Sequence, residues 1–246
     1  MWLDPFFANK VIQDVVATII TLGLSLIWLR LINFLAQRGV LEQKLSRKII
    51  HIGTGPLFVL CWNLFSGEPW ARWAAALVPL AITAQFIAVG MGWLKDEAAV
   101  KAMTRSDDPR EILRGPLYYG LVFVVCTILF WRHSPIGIAG LMAMCGGDGL
   151  ADVVGRRWGQ AKLPFSSDKS WAGSAAMLIG SYSFSWGMIF LFNQFGNFQP
   201  ALNMVYVSGV LALIAVMATL VEALPFQDVD NISVTAVVIA FGLGWL

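Results

Sequence analysis

The chain has 246 residues, of which 58% are hydrophobic and 13% charged, with a mean hydropathy of +0.70. Soluble domains carry about 25% charged residues; here the deficit runs along the whole chain, which excludes a soluble body on a single anchor and predicts an all-α polytopic membrane protein. The net charge of +2 is small and scattered, which excludes a nucleic-acid surface.

Cys61, Cys126 and Cys145 all lie in apolar runs, and an odd number at no metal-ligand spacing argues against a disulfide framework or a zinc site. The N-terminal residues, with Asp4, Pro5 and two Phe before the first Lys, resemble neither a cleavable signal nor an Arg-rich transit peptide. That favours a bacterial-type protein, in an inner or thylakoid membrane, over an imported precursor.

A membrane-crossing helix requires about 20 mostly apolar residues. Such runs fall near 11–34, 50–66, 72–93, 116–132, 135–155, 171–193, 200–223 and 229–246, predicting eight spans. Seven is the alternative, because the uncharged part of the last run begins only at Ile232. There is no internal repeat or Pro/Gly/Ser-rich linker, so one integral membrane domain is expected over 1–246.

Basic residues set the orientation. Arg38, Lys44, Arg47 and Lys48 follow the first span; Lys95, Lys101, Arg105, Arg110 and Arg114 follow the third; Arg156, Arg157, Lys162 and Lys169 follow the fifth. The alternate connections hold only Arg72, only Arg132, or none. These basic loops are expected in the cytoplasm, with the N-terminus outside. The loop after the seventh span then also faces the cytoplasm, yet it carries Glu222, Asp228 and Asp230 and no Lys or Arg. Acids on the basic face suggest that they answer to a metal ion.

The fifth span ends Gly146-Gly147-Asp148-Gly149-Leu-Ala-Asp152-Val-Val-Gly155-Arg156-Arg157. On a helix starting at Pro135, Asp148 lies ~20 Å along the axis, inside a hydrocarbon layer ~30 Å thick. An Asp there costs ~2.5–3.5 kcal/mol, so a water-accessible or metal-filled cavity is expected around it. Asp148, Asp152 and Arg156 are spaced by four and share one helix face. The glycines weaken the helix and let another group approach closely. An Asp152–Arg156 pair at the interface is the plainer reading, but it leaves Asp148 unexplained.

The next connection reads Gly159-Gln-Ala-Lys162-Leu-Pro-Phe-Ser166-Ser167-Asp168-Lys169-Ser170-Trp171-Ala172-Gly173-Ser174. Lysines, hydroxyls and backbone N–H groups at a helix start suit phosphate oxygens, although the Walker A spacing is absent. Ordinary capping by Ser170 and interfacial anchoring is the alternative. Beside buried carboxylates, the stretch reads as the phosphate half of a nucleotide–metal site. Three further clusters belong to the same face: Arg47-Lys48-x-x-His51, Arg110-Glu111-x-x-Arg114-Gly-Pro-Leu-Tyr118-Tyr119, and Glu222 with Asp228-x-Asp230-Asn231. The first also reads as snorkelling cations with an interfacial His, and the tyrosines as an interfacial belt.

Together, Gly147-Asp148-Gly-Leu-Ala-Asp152-x-x-Gly155-Arg156-x-x-Gly159 and Lys169-Ser170-x-x-Gly173-Ser174 resemble the signature of the phytol, farnesol and dolichol kinase family, related to CDP-diacylglycerol synthases. The other three clusters look like its phytol kinase branch, and the likeness runs from about 45 to 235. One departure is Ala172, where the family usually has Glu.

The resemblance implies phosphorylation of an isoprenoid alcohol in the membrane by a nucleoside triphosphate, typically CTP, with Mg²⁺. It implies metal ligands among Asp148, Asp152, Asp228 and Asp230. Phosphate contacts are implied for Arg156, Lys162, Lys169, Ser170, Gly173, Ser174, Arg47, Lys48 and Arg110. Asp148, Asp152, Lys169 and Glu222 are the candidate catalytic groups, with the hydroxyl proton going to Asp148 or Glu222. His51, Glu111, Arg114, Tyr118, Tyr119 and Asn231 are accessory candidates. A CDP-lipid synthase-like nucleotidyltransferase would use the same set; an ion-coupled transporter fits the intramembrane acids but not the Lys-Ser loop.

Overall fold

Asn9 opens the first long helix, α1 (Lys10–Gln37), its side-chain oxygen accepting from the Val11 and Ile12 N–H groups at 3.0 and 3.2 Å. The computed structural model describes residues 2–224 and 229–246 and is all-α apart from one small hairpin. The helices gather into two compact units, Met1–Ile50 with Leu57–Leu129 and His51–Pro56 with Phe130–Leu246.

In the first unit α1 is followed by α2 (Gln43–Cys61), whose turn His51–Pro56 belongs to the second unit, and by α3 (Ala71–Gly90). Large apolar side chains along α1 face outward, Ile19 and Ile27 being 65% and 63% exposed. Its buried residues near the start are instead polar. Asp14 accepts from the Ser66 N–H at 2.7 Å and the Ser66 hydroxyl at 2.8 Å, and Gln13 donates to the Leu64 carbonyl at 3.2 Å. This inversion of the soluble pattern suits a helix in hydrocarbon. The short α4 (Glu97–Met103) is capped by Asp96, and its Val100 and Met103 pack on Phe86, Val89 and Ile112. A 3₁₀ turn at Pro109–Leu113 then leads into α5 (Gly115–Phe130).

The second unit is built around one continuous span, Pro135–Trp158. It comprises α6 (Pro135–Met142), a π-helical turn (Ala143–Asp148) and α7 (Gly149–Trp158). Its most apolar stretch is 72% buried, against 22% for α1, so it is an interior helix. A two-stranded antiparallel hairpin, β1 (Lys162–Leu163) and β2 (Ser166–Ser170), leads to α8 (Trp171–Gln194). The helices α9 (Met204–Glu222) and α10 (Asp230–Trp245) complete the unit. Helix α8 packs on the π turn, on α7 and on α9, and α10 packs on α9 and α6. The crossing with the π turn is close: a Cβ on Gly180 would stand 2.7 Å from the Gly146 carbonyl oxygen.

Each of the eight apolar runs contains helix, and among the described residues six helical stretches, counting Pro109–Phe130 and Pro135–Trp158 each as one, are long and apolar enough to cross a membrane. The other two are α2, which carries Lys44, Arg47 and Lys48 in its first turns, and α10, with 16 residues. Two local features differ from the sequence expectation. The fifth run contains a widened turn, where Gly146 and Gly147 lower the cost of leaving α geometry. The stretch after it is a hairpin, with Lys162 opposite Ser170 and Leu163 opposite Ser166.

Candidate active site

The π turn of the fifth span, the end of α9, the start of α10 and the hairpin supply the site. Asp148 is the last residue of the π turn, and its side chain is 13% exposed. Glu222 ends α9 and is 4% exposed. Asp230 begins α10, where the unpaired N–H groups of the first turn favour a negative charge. One oxygen from each of these three carboxylates lies within 4.8 Å of the other two. Asp228 lies outside the described residues, and Asn231 sits in the first turn of α10.

Lys169 reaches the same place from β2. Its ammonium donates to Glu222 Oε1 in a short ion pair and to Asp230 Oδ2 at 3.2 Å. Burial weakens the charged form of Lys169, but the neighbouring Glu222, with Asp230 and Asp148, more than offsets this and holds its pKa above the usual lysine value. The hairpin fixes the backbone from which this side chain extends. Ser170, opposite Lys162, caps α8 by accepting from the Gly173 N–H at 3.1 Å, while the Trp171 N–H donates to the Ala161 carbonyl at 3.1 Å. Gly173 allows this: a Cβ there would meet the Ala151 carbonyl oxygen at 3.2 Å. The Ser170 hydroxyl oxygen is thus the acceptor in this cap, and Ser174 lies in the same first turn of α8.

The two aspartates of the fifth span, one α-helical turn apart, have different partners. Asp152 Oδ1 accepts from Arg156 Nε and Nη2 at 3.0 and 2.9 Å, the i, i+4 pair of the plainer sequence reading. Asp148 is turned toward His51, with 3.4 Å between Oδ2 and Nε2. The same His51 nitrogen is 3.1 Å from the Met144 carbonyl oxygen. A carbonyl only accepts, so this nitrogen carries a proton and donates to the π turn. Arg156 stays 42% exposed beyond its carboxylate and so presents donors outward. Lys162 is exposed beside the Asp168 carbonyl, at 3.4 Å.

The remaining sequence candidates belong to the first unit. Arg47 donates to the Thr104 carbonyl at 3.0 Å. Glu111 accepts from the Ser106 hydroxyl at 2.7 Å and from the Arg105 and Ser106 N–H groups, so it organises its own loop. Arg110 is exposed, Arg114 ends the 3₁₀ turn, and Lys48 lies in α2. The Tyr119 ring stacks at a tilt on Phe123, with centroids 4.8 Å apart, and Tyr118 is one residue earlier on α5. The sequence identified Lys169, Glu222 and Asp230 singly; their convergence, and the contact of His51 with the π turn, have no linear signal beyond the glycine run.

Three carboxylate oxygens gathered within 4.8 Å of one another are hard donors of the kind that hold Mg²⁺. A lysine among them and a half-exposed arginine nearby suit an anionic co-substrate.

No protein-family model matches the chain, and no solved structure matches it. Among curated proteins, it is 46% identical over 225 residues to probable phytol kinase 1, chloroplastic, of Oryza sativa subsp. japonica, covering 91% of this chain and 71% of that protein. It is 41% identical over 242 residues to probable phytol kinase 2, chloroplastic, of the same plant, covering 98% and 79%. It is 39% identical over 232 residues to phytol kinase 1, chloroplastic, of Arabidopsis thaliana, covering 92% and 74%.

Proposed function

The chain belongs to the phytol kinase family, and from that membership and the site geometry we propose that it is a membrane-embedded kinase transferring the γ-phosphoryl group of a nucleoside triphosphate, CTP, to phytol or a related prenol. The observation that carries this reading is the meeting of Asp148 from within an apolar span, Glu222 and Asp230 from helix ends, and Lys169 from the hairpin. A lipid alcohol lying among such helices brings its hydroxyl to that level, where the polar co-substrate meets it from water.

Asp148, Glu222 and Asp230 would hold Mg²⁺, which supplies charge neutralisation of the triphosphate. The chain's own groups do the rest. Lys169 and Arg156 hold phosphate oxygens, Arg156 being aimed by Asp152 and Lys169 by the hairpin. Lys162 adds positive charge at the exposed edge. In the transfer the alcohol oxygen bonds to the γ-phosphorus, the bond from that phosphorus to the bridging oxygen breaks, and the nucleoside diphosphate leaves. The hydroxyl proton passes to an oxygen of Asp148 or Glu222 that the ion leaves uncoordinated. His51 steadies the turn that carries Asp148. The basic loops and the site face the cytoplasm in this reading, the side that supplies nucleotide.

The related nucleotidyltransferase chemistry would need the same metal and cations, but is attacked at the α-phosphorus by a lipid phosphate and releases pyrophosphate. With phytol as acceptor, label from γ-³²P-CTP is expected in the lipid fraction and label from α-³²P-CTP is not. Transfer of α-label to a lipid phosphate, with no γ-label reaching any alcohol, would reverse the assignment.

A further inference from the structure

We propose that Lys169 is the resident counter-cation of the carboxylate site, surrendering Glu222 and Asp230 to a divalent ion and turning to the nucleotide phosphates as that ion binds. This rests on the reading of Asp148, Glu222 and Asp230 as the metal ligands and adds an order of events to it.

The first observation is where the ammonium sits. Lys169 does not point outward toward an arriving phosphate; it bridges two of the three carboxylates. A cation bonded to Glu222 and Asp230 occupies donor oxygens that a metal would need.

The second is spacing. The three oxygens lie within 4.8 Å of one another. Ammonium donors reach carboxylates at about 2.7–2.9 Å, and tetrahedral geometry then holds two acceptors roughly 4.6 Å apart. Mg²⁺ takes oxygens at about 2.0–2.1 Å in an octahedron, so neighbouring ligands stand roughly 3 Å apart and opposite ones roughly 4.2 Å. Lys169 stands between two of the three carboxylates, and ligands drawn in to the spacing of a metal leave no room for an ammonium between them.

The third is charge and reach. Three carboxylates near one another oppose each other's ionisation, and a single lysine offsets one of three charges, which leaves the site strongly attractive to a divalent ion. Once that ion is held, the carboxylates' excess charge falls from three to one and they are drawn to the metal, so their hold on the ammonium weakens. Lys169 is free to respond because its charge rides on a flexible four-carbon stem, while β2 stays paired with β1 and joined to the capped start of α8. Its side chain is already 20% exposed, so a way out exists.

Metal and triphosphate binding are therefore coupled through one side chain. The ion expels the ammonium, the triphosphate gives it a new partner, and by linkage each ligand raises affinity for the other.

The test uses purified full-length protein in detergent without nucleotide, with Mn²⁺ binding followed by electron paramagnetic resonance. Lys169→Gln is expected to bind Mn²⁺ more tightly than wild type, by roughly 5–150-fold, the usual range of a coupling between sites. Lys169→Arg, which keeps a cation, is expected within a few-fold of wild type. Equal or weaker Mn²⁺ binding by Lys169→Gln overturns the proposal and leaves the metal site standing. No stoichiometric Mn²⁺ on either protein, with or without a non-hydrolysable CTP analogue, overturns both.

A second measurement needs no variant. In wild type, acetylation of Lys169 read by mass spectrometry against the exposed Lys162 is expected to speed up when Mn²⁺ is added and slow again with the CTP analogue. A Lys169 rate that is unchanged or falls on Mn²⁺ addition overturns the proposal.

Discussion

Lys169 and Glu222 stand fifty-three residues apart in the chain and close a short ion pair where β2 meets the end of α9. Glu222 is nearly inaccessible and Lys169 half-buried, so neither charge is well solvated away from the other. The pair ties the hairpin to the helix ends that carry the other acids, joining the phosphate-facing stretch to the carboxylates in one site.

Removing single acids should separate two roles. Asp148→Asn, Glu222→Gln and Asp230→Asn each delete a proposed metal donor, and phytol kinase activity is expected to fall by more than about 100-fold in each. Asp152→Asn instead loosens Arg156; hydrogen bonds to charged groups contribute about 1.5–3 kcal/mol, so nucleotide KM should rise roughly 10–100-fold with phytol KM unchanged. Steady-state kinetics with each substrate varied in turn checks both. A phytol KM that rises while the nucleotide KM does not would detach Arg156 from the phosphates.

The same acids should differ in sign on stability. Asp148→Asn relieves repulsion among three carboxylates, and without metal the melting temperature in detergent is expected to rise by roughly 2–4 °C, equivalent to about 1 kcal/mol. Glu222→Gln leaves Lys169 short of its closest charge partner and should lower it, since breaking a buried pair costs about 3–5 kcal/mol when complete and less at this partly open site. Thermal unfolding with a chelator present is the measurement. A fall in both variants would mean that the carboxylates do not oppose one another.

His51 should act by position. His51→Ala removes the donor to the Met144 carbonyl and the neighbour of Asp148, and a loss of about 10-fold in kcat is expected from one hydrogen bond of roughly 1.4 kcal/mol. His51→Gln retains an N–H donor and should recover part of the loss. If Gln and Ala are equally impaired, the ring does more than hold the turn.

Gly180→Ala should disturb the site from a distance. The added Cβ meets the Gly146 carbonyl at 2.7 Å, and overpacking of this kind costs about 1–3 kcal/mol. A lower melting temperature and weaker Mn²⁺ binding are expected together, because the displaced turn carries Asp148. Mn²⁺ affinity equal to wild type would show that the turn absorbs the shift.

Orientation is open to labelling. Single cysteines at Arg105 and Ser167, both exposed, in a background lacking Cys61, Cys126 and Cys145, should be shielded from an impermeant thiol reagent in intact cells. A cysteine at the exposed Gln199 should react. The reverse pattern would put the site on the side away from cellular nucleotide.

The local half of this protein was legible in its residues. Long uncharged runs marked the apolar helices, because the cost of placing charge in hydrocarbon is paid residue by residue and leaves a linear trace. Asp148 stood out for the same reason, and Asp152 with Arg156 followed from a spacing of four on one helix. Other features needed the chain folded back on itself. The glycines at 146, 147 and 149 announce a weak helix, but the close crossing of α8 there, at its own Gly180, has no trace in the linear order. The π turn ends at Asp148, so the step from Asp148 to Asp152 keeps α geometry and the two stay one helical turn apart. Ser170 caps α8 by accepting from the Gly173 N–H, a contact that its place before the helix foreshadowed and that leaves its own O–H as a donor. The meeting of Asp148, Lys169, Glu222 and Asp230 depends on where four separate segments end in space. Side-chain charges interact through distance and not through sequence separation, so only the tertiary structure could bring that site together.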